Sequence, residues 1–211
     1  MNLEHVEPKD IEKRSFAIIS EELKEQQIFL EEEKAPVIKR VIHTTADFSY
    51  ASTLLFSKNA LNAAYDAFKA KASLVTDTKM ALAGINKKAA GEIGLSLYNF
   101  MDDASVAEEA KQRGVTRSAI CMERATAIKG PVIYVVGNAP TALIRIRELY
   151  DEKKITPALV IGVPVGFVNV VQSKELILET DMNYIVARGR KGGSNVAAAI
   201  CNALMYEFIK V

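Results

Sequence analysis

Residues 130–141 read Gly130-Pro-Val-Ile-Tyr-Val-Val136-Gly-Asn-Ala-Pro-Thr141, a continuous apolar run closed by a polar, Gly-containing turn. Such a run predicts a strand over Pro131–Val136, buried on both faces, with Gly137 to Thr141 as a loop and a helix to about Lys153. The same unit recurs twice. Ala158–Ile161, the loop Gly162-Val-Pro-Val-Gly166 and a helix to about Leu178 form the second. Tyr184–Ala187, the loop Arg188-Gly-Arg-Lys-Gly-Gly-Ser194 and a helix of Ala197–Phe208 form the third. Three successive strand–loop–helix units predict parallel pairing with right-handed crossovers. The expected fold class is α/β, one domain over 1–211 with a mainly parallel sheet and helices on both faces. Ligands of such sheets bind beyond the carboxyl ends of the strands, where these three loops collect.

Upstream the pattern is less regular. Pro8-Lys9-Asp10 reads as a turn and N-cap opening a helix to about Leu23, with Ile11, Ala17, Ile18 and Ile19 near one face. Glu31–Lys34 is a solvated charge run. Pro36 then starts a helix with Val37, Ile38, Val41 and Ile42 on one face and His43 at or just past its end. Asn59–Lys71 predicts an Ala-rich amphipathic helix, Ser73–Thr76 a short strand, and Ile93–Met101 another strand. Asp77 is expected to cap the helix containing Met80 and Leu82, and the scattered methionines read as core filling. No Ser/Gly linker or composition break marks a second domain.

The chain has 211 residues, of which 49% are hydrophobic and 25% charged, so disorder and a coiled coil are excluded. Lys plus Arg number 27 and Asp plus Glu 26, a net charge of +1 that argues against a nucleic-acid partner but permits a local Arg-lined pocket. Cys121 and Cys201, with no CxxC spacing, exclude a disulfide framework and a zinc cluster. The opening MNLEHVEPKD lacks the basic and apolar regions of a signal peptide, and no apolar run approaches the ~20 residues of a membrane span. A cytoplasmic protein with no membrane partner is expected.

Several familiar signatures do not occur: GxGxxG, the GK[ST] end of a phosphate loop, and the GxSxG elbow. Two histidines far apart in the chain, without clustered carboxylates, make a poor metal site, so no metal is expected. His43 has two readings on its residues alone. It is a proton donor, since imidazole shuttles protons near neutral pH, or it is a structural group at a helix C-terminus. Ser15, between Arg14 and Phe16, sits inside a helix where a serine can simply be tolerated and the Phe be core. Thr116-Arg117-Ser118 opens a helix, with Thr116 or Ser118 as its cap. The loops carrying Asn138, Thr141 and Ser194 place N–H groups and small hydroxyls at helix N-termini, which attract carboxylates. Arg117, Arg188 and Arg190 add candidates for bidentate carboxylate contacts. For any one loop the alternative is ordinary turn chemistry, whereas three at one sheet edge favour a ligand site.

The segments Ile11-Glu-Lys-Arg-Ser15-Phe16, Arg40-Val-Ile-His43, Thr76-Asp77-Thr-Lys-Met80, Thr116-Arg117-Ser118-Ala119, Gly137-Asn-Ala-Pro-Thr-Ala-Leu143, Gly162-Val-Pro-Val-Gly-Phe167, Ser173-Lys174 and Gly189-Arg-Lys-Gly-Gly-Ser194 occur in this order. In that order and spacing, from about Ile11 to Leu204, the chain resembles the precorrin-8X methylmutase family of cobalamin biosynthesis. The resemblance implies an isomerase that moves a methyl group from C11 to C12 of a contracted tetrapyrrole. Its substrate is precorrin-8 or cobalt-precorrin-8, and its product hydrogenobyrinate or cobyrinate. It also implies no added cofactor and a homodimer with its site near the subunit interface. His43 falls at the family's catalytic histidine, and Ser15 and Arg117 at positions of substrate contact. Arg14, Thr116, Ser118, Asp77, Asn138, Thr141, Arg190 and Ser194 complete the expected substrate-binding set. The methyl shift requires electron redistribution in the macrocycle, which His43 is expected to assist by protonating or polarising it, an effect worth ~10²–10⁴-fold.

Where the family often has Gly and Glu after Gly-Phe-Val, this chain has Asn169 and Gln172. Thr44-Thr45-Ala46-Asp47 resembles the anaerobic, cobalt-first branch. Two other readings stand beside the enzyme: a non-catalytic corrinoid carrier that hands product onward, and a different α/β ligand-binding protein recognising, for example, a nucleotide. The missing phosphate-loop and dinucleotide signatures argue against the last.

Overall fold

The apolar runs become the centre of one six-stranded sheet in the computed structural model, which describes residues 4–210. Met1–Leu3 of the opening segment, and Val211 at the end of the expected 1–211 domain, lie outside the described residues. The strands are β1 (Leu54–Phe56), β2 (Ser73–Thr76), β3 (Ser96–Tyr98), β4 (Val132–Val136), β5 (Leu159–Gly162) and β6 (Tyr184–Ala187). Their order is β1-β6-β5-β4-β2-β3. Pairings β2–β3, β2–β4, β4–β5 and β5–β6 are parallel, and β1 joins β6 antiparallel at the edge. The helices are α1 (Ile11–Glu25), α2 (Ala35–Thr45), α3 (Tyr50–Thr53), α4 (Ala60–Lys69), α5 (Lys79–Gly84), α6 (Lys87–Ile93), α7 (Ala104–Arg113), α8 (Arg117–Arg124), α9 (Pro140–Asp151), α10 (Val170–Leu178) and α11 (Ser194–Lys210).

Alternation along the central strands explains why both faces are covered. Ile133 and Val135 of β4, Leu159 and Ile161 of β5, and Ile185 and Ala187 of β6 pack with Val41, Ile42, Phe68, Ile200 and Leu204. The intervening Tyr134, Val136, Val160 and Val186 pack with Ile120, Leu143, Ile146 and Ile177 on the other face. Side chains alternate across a strand, so a continuous apolar run needs a helical layer on each side. The expected α/β fold with a mainly parallel sheet is what forms.

The helix starting near Pro36 buries Val37, Ile38, Val41 and Ile42 as expected, and His43 lies inside its last turn rather than beyond it. Other expectations are corrected. The strand expected at Ile93–Met101 shrinks to Ser96–Tyr98, because Gly94 ends α6 in the left-handed conformation at φ 84°. Asp10 makes no side-chain cap; a 3-10 turn at Pro8–Asp10 leads into α1 instead. That helix buries Ile19 and Leu23, one turn apart, while Ile11 is exposed. Met122, Met182 and Met205 fill the core, but Met80 is 73% exposed on the short α5. Asp77 does not cap α5; Thr78 does, its Oγ1 accepting the Ala81 N–H at 3.1 Å. The short antiparallel β1 has no counterpart in the sequence reading.

Candidate active site

Helical spacing builds the first cluster. Glu12, Ser15 and Phe16 stand at i, i+3 and i+4 on α1, and Arg40 and His43 at i and i+3 on α2, so each set shares one face. Arg40 donates to both carboxylate oxygens of Glu12, each at 2.9 Å, and its guanidinium lies 4.9 Å from the Phe16 ring and 5.0 Å from the Tyr206 ring of α11. Hydrogen bonding to Arg40 holds the Glu12 carboxyl below its ordinary range. The Phe16 ring stacks on His43 with centroids 5.4 Å apart and planes 23° apart. Ser15 Oγ lies 2.7 Å from His43 Nδ1. Phe16 is therefore a packing surface for the imidazole rather than core. A surface groove of about 560 Å³ borders this cluster through Glu12, Phe16 and Arg40, with Lys9, Lys13 and Lys39 also on its walls.

The end of α2 is fastened to the sheet edge. Ala46 terminates the helix with φ 52°, and Asp47 Oδ2 accepts from Lys191 Nζ at 2.6 Å in the loop between β6 and α11. That bond lowers the Asp47 carboxyl from its usual range. The hydroxyls of Thr44 and Thr45 donate back to the carbonyls of Arg40 and Val41.

At the carboxyl ends of the strands a second set of bonds gathers the loops. Thr78 Oγ1 and Ser194 Oγ are 2.8 Å apart, linking the end of β2 to the start of α11. Thr116 Oγ1 and Thr141 Oγ1 are 2.7 Å apart, joining the starts of α8 and α9. Thr116 also caps α8 by accepting the Ala119 N–H. Gly192 has φ 159°, and a Cβ there would lie 2.1 Å from the Val163 carbonyl oxygen, so the loop reaches β5 only because it lacks a side chain.

Asp77 changes the expected role of the Gly137–Thr141 loop. It is fully buried, and its carboxylate accepts the N–H groups of Gly137, Asn138 and Ala139 at 2.9, 2.8 and 2.7 Å. Burial pushes its pKa up, and the three N–H donors pull it back. The donors expected to meet a ligand carboxylate at α9 thus already hold one from the protein.

Among the other expected residues, Arg117, Asn138 and Arg190 are exposed, and Arg190 lies over the Phe167 ring at 5.3 Å. Arg188 pairs with Glu175 at 3.1 Å, and Arg14 pairs with Glu4 at 2.7 Å near the start of the described chain. Ser118 is buried, with Met101 sulfur 3.9 Å from its hydroxyl. Asn169, in place of the family's frequent glycine, adopts φ 58° before α10, a conformation Asn tolerates better than most side chains. Burial pushes the Cys121 thiol up to about 11 and the Cys201 thiol to about 12, which keeps both protonated and unsuited to nucleophilic work. Sequence reasoning missed Glu12, Arg40, Thr78 and Asp47. The i, i+3, i+4 pattern on α1 was a readable signal for the first, whereas the partner of Thr78 lies 116 positions away.

A model of the family described as "CbiC: Precorrin-8X methylmutase" matches residues 10–207. The chain is 43% identical over 205 residues to the cobalt-precorrin-8 methylmutase of Salmonella typhimurium, covering 95% of this chain and 96% of that protein. It is 37% identical over 203 residues to the precorrin-8X methylmutase of Pseudomonas aeruginosa, covering 93% and 94%. The crystal structure of precorrin-8x methyl mutase from Thermus thermophilus superimposes with a TM-score of 0.86 at 32% identity, covering 95% of this chain and 98% of that one.

Proposed function

The chain belongs to the precorrin-8X methylmutase family, and from that premise we propose that it moves a methyl group from C11 to C12 of a contracted tetrapyrrole, with His43 as the proton donor. Membership itself makes it an isomerase of cobalamin biosynthesis, an intramolecular transferase. The finer reading is carried by one observation, the 2.7 Å approach of Ser15 Oγ to His43 Nδ1 on an imidazole otherwise exposed. A serine hydroxyl both donates and accepts. It accepts from Nδ1–H both in the imidazolium and in the neutral ring left once Nε2 has given its proton away. Nε2 thus gains and loses a proton without the ring turning, and the Phe16 stack keeps its plane fixed.

In the reaction the C11–CH₃ bond breaks as the C12–CH₃ bond forms, with no net change of oxidation state. A proton placed on the macrocycle by His43 Nε2 draws electrons toward the accepting region and lowers the barrier to migration, and the same nitrogen takes the proton back. The acetate and propionate arms of the substrate suit Arg117, Arg190 and the start of α11. Arg14, Thr116, Ser118, Asn138, Thr141 and Ser194 remain in the proposed contact set. Asp77 acts behind it through the Gly137–Ala139 backbone. Cobalt-precorrin-8 is the preferred substrate in this reading, supported by the Thr44–Asp47 stretch and by the names of relatives such as those of Salmonella typhimurium and Leptospira interrogans. The site is proposed to lie near the interface of a homodimer, with no cofactor beyond the substrate itself.

Anaerobic incubation with precorrin-8 and, separately, cobalt-precorrin-8 tests this, read by absorbance and product identification. Wild type converts substrate, with faster conversion of the cobalt complex, while His43→Ala binds it and turns over ~10²–10⁴-fold more slowly. Normal turnover by His43→Ala would remove the proton-donor role. Binding without conversion by wild type would point to a corrinoid carrier.

A further inference from the structure

Lys174, in the Ser173-Lys174 pair, takes no part in the chemistry above, yet its setting is unusual. The residue is 0% exposed. Its Nζ donates to the carbonyls of Gly189 and Lys191, at 2.7 and 2.8 Å. The carbonyl between them, that of Arg190, accepts the Gly166 N–H at 3.2 Å. Three consecutive carbonyls of the β6–α11 loop are therefore held, two by one ammonium on α10 and one by the β5–α10 loop. Gly193 N–H adds a bond to the Val163 carbonyl at 2.8 Å. Burial lowers the Lys174 pKa to about 8. A buried ammonium held by neutral carbonyls is a costly way to fasten a loop that apolar packing serves more cheaply.

The charged groups on the elements around Lys174 are few. Glu175 on α10 pairs with Arg188, Lys191 pairs with Asp47, and Arg147 on α9 pairs with Asp151 at 2.7 Å and donates to the Leu176 carbonyl at 2.7 Å. Arg190 extends over Phe167. The carboxylates of Glu175, Asp47 and Asp151 are each already paired, while Arg190 makes no ion pair among the described residues.

We infer that Lys174 is a positioning residue for substrate binding: it fixes the backbone on both sides of Arg190 and adds a positive charge beneath the loop that meets the carboxylate arms of the tetrapyrrole. This rests on the polycarboxylate substrate assigned above. A neutral amine still has donors for both carbonyls, so deprotonation removes the charge and leaves the loop in place. The consequence falls on binding of the anionic substrate rather than on the methyl shift.

Steady-state kinetics of wild type, Lys174→Met and Lys174→Gln, with thermal melts to check folding, decide the matter. Lys174→Met raises KM about tenfold or more, with kcat within about threefold of wild type. Lys174→Gln, which keeps two N–H donors without the charge, gives a smaller rise. In wild type KM climbs between pH 7 and 9.5, and Lys174→Met abolishes that climb in KM. An unchanged KM in a folded Lys174→Met, or a loss confined to kcat, overturns the inference. If the Met variant does not fold, the wild-type profile decides: a KM flat through pH 9.5 overturns it. Wild type that turns over neither tetrapyrrole overturns the substrate reading and this inference with it, whereas turnover with unaltered KM overturns the inference alone.

Discussion

Ser15 shows how little a residue's type reveals before its neighbour is known. A serine inside a helix is usually an indifferent surface choice, and only its 2.7 Å approach to His43 Nδ1, 28 positions along the chain, gives it a role. Replacing it should leave binding intact and weaken proton donation. Ser15→Ala is expected to lower kcat about tenfold while KM changes by less than about threefold, the loss of one hydrogen bond of roughly 1.4 kcal/mol in the transition state. Stopped-flow or single-turnover absorbance checks this, and an equal loss in KM would mean that Ser15 holds substrate instead. His43 stood out as the candidate proton donor because the chain has only two histidines and one of them falls in the Arg40-Val-Ile-His43 segment.

Elements are joined here by side chains that cross between them. Asp77 follows β2, yet its carboxylate caps the backbone ahead of α9 through Gly137, Asn138 and Ala139. Asp77→Ala leaves three donors without that acceptor, two of them on the buried Gly137 and Ala139. It is expected to cost at least about 3 kcal/mol, lowering Tm by roughly 6–12 °C for a chain of this size. Differential scanning calorimetry measures it; a shift below about 2 °C would show that water or a backbone movement replaces the carboxylate. An Asp just before an apparent helix invited a local capping assignment, and its true partners lie 60 to 62 positions away. The neighbouring Thr78 does the local work instead. The Glu12–Arg40 pair similarly ties α1 to α2, but with Glu12 largely exposed its contribution to stability is small, ~1 kcal/mol or less.

For the whole molecule, burial of ionisable groups sets the alkaline limit of stability. Cys121 and Cys201 titrate at about 11 and about 12 in the folded chain, above the ordinary thiol near 9. Folded values raised above the unfolded ones mean that stability is intact below pH 9 and lost as pH rises through 11 and 12. The slope approaches about 1.4 kcal/mol per pH unit for each thiol. Lys174 acts oppositely, since its folded pKa of about 8 lies below the ordinary lysine value of 10.5 and stability rises from it across that window. Urea denaturation from pH 7 to 11 should show stability level or rising to about pH 9 and falling beyond. Cys201→Ala should flatten the fall, and an unchanged curve would mean the thiol does not govern it. Exposed Phe167 (81%) and Val168 (78%) border the loops of the site and offer apolar surface for the proposed dimer, which light scattering checks. Among the described residues no helix is long and apolar enough to cross a membrane.

The sequence by itself determined the α/β class, the three strand–loop–helix units and the edge at which their loops meet. Those depend on local periodicity: an apolar strand must be covered on both faces whatever covers it. The ordered motifs likewise carried the family and pointed to His43. Only the tertiary structure decided which polar groups satisfy one another. The Asp77 carboxylate occupies the α9 donors, the Lys174 ammonium binds the Gly189–Lys191 backbone, Thr78 meets Ser194, and Ser15 meets His43. A hydrogen bond needs its partners within about 3 Å, and folding brings together groups that chain spacing keeps far apart.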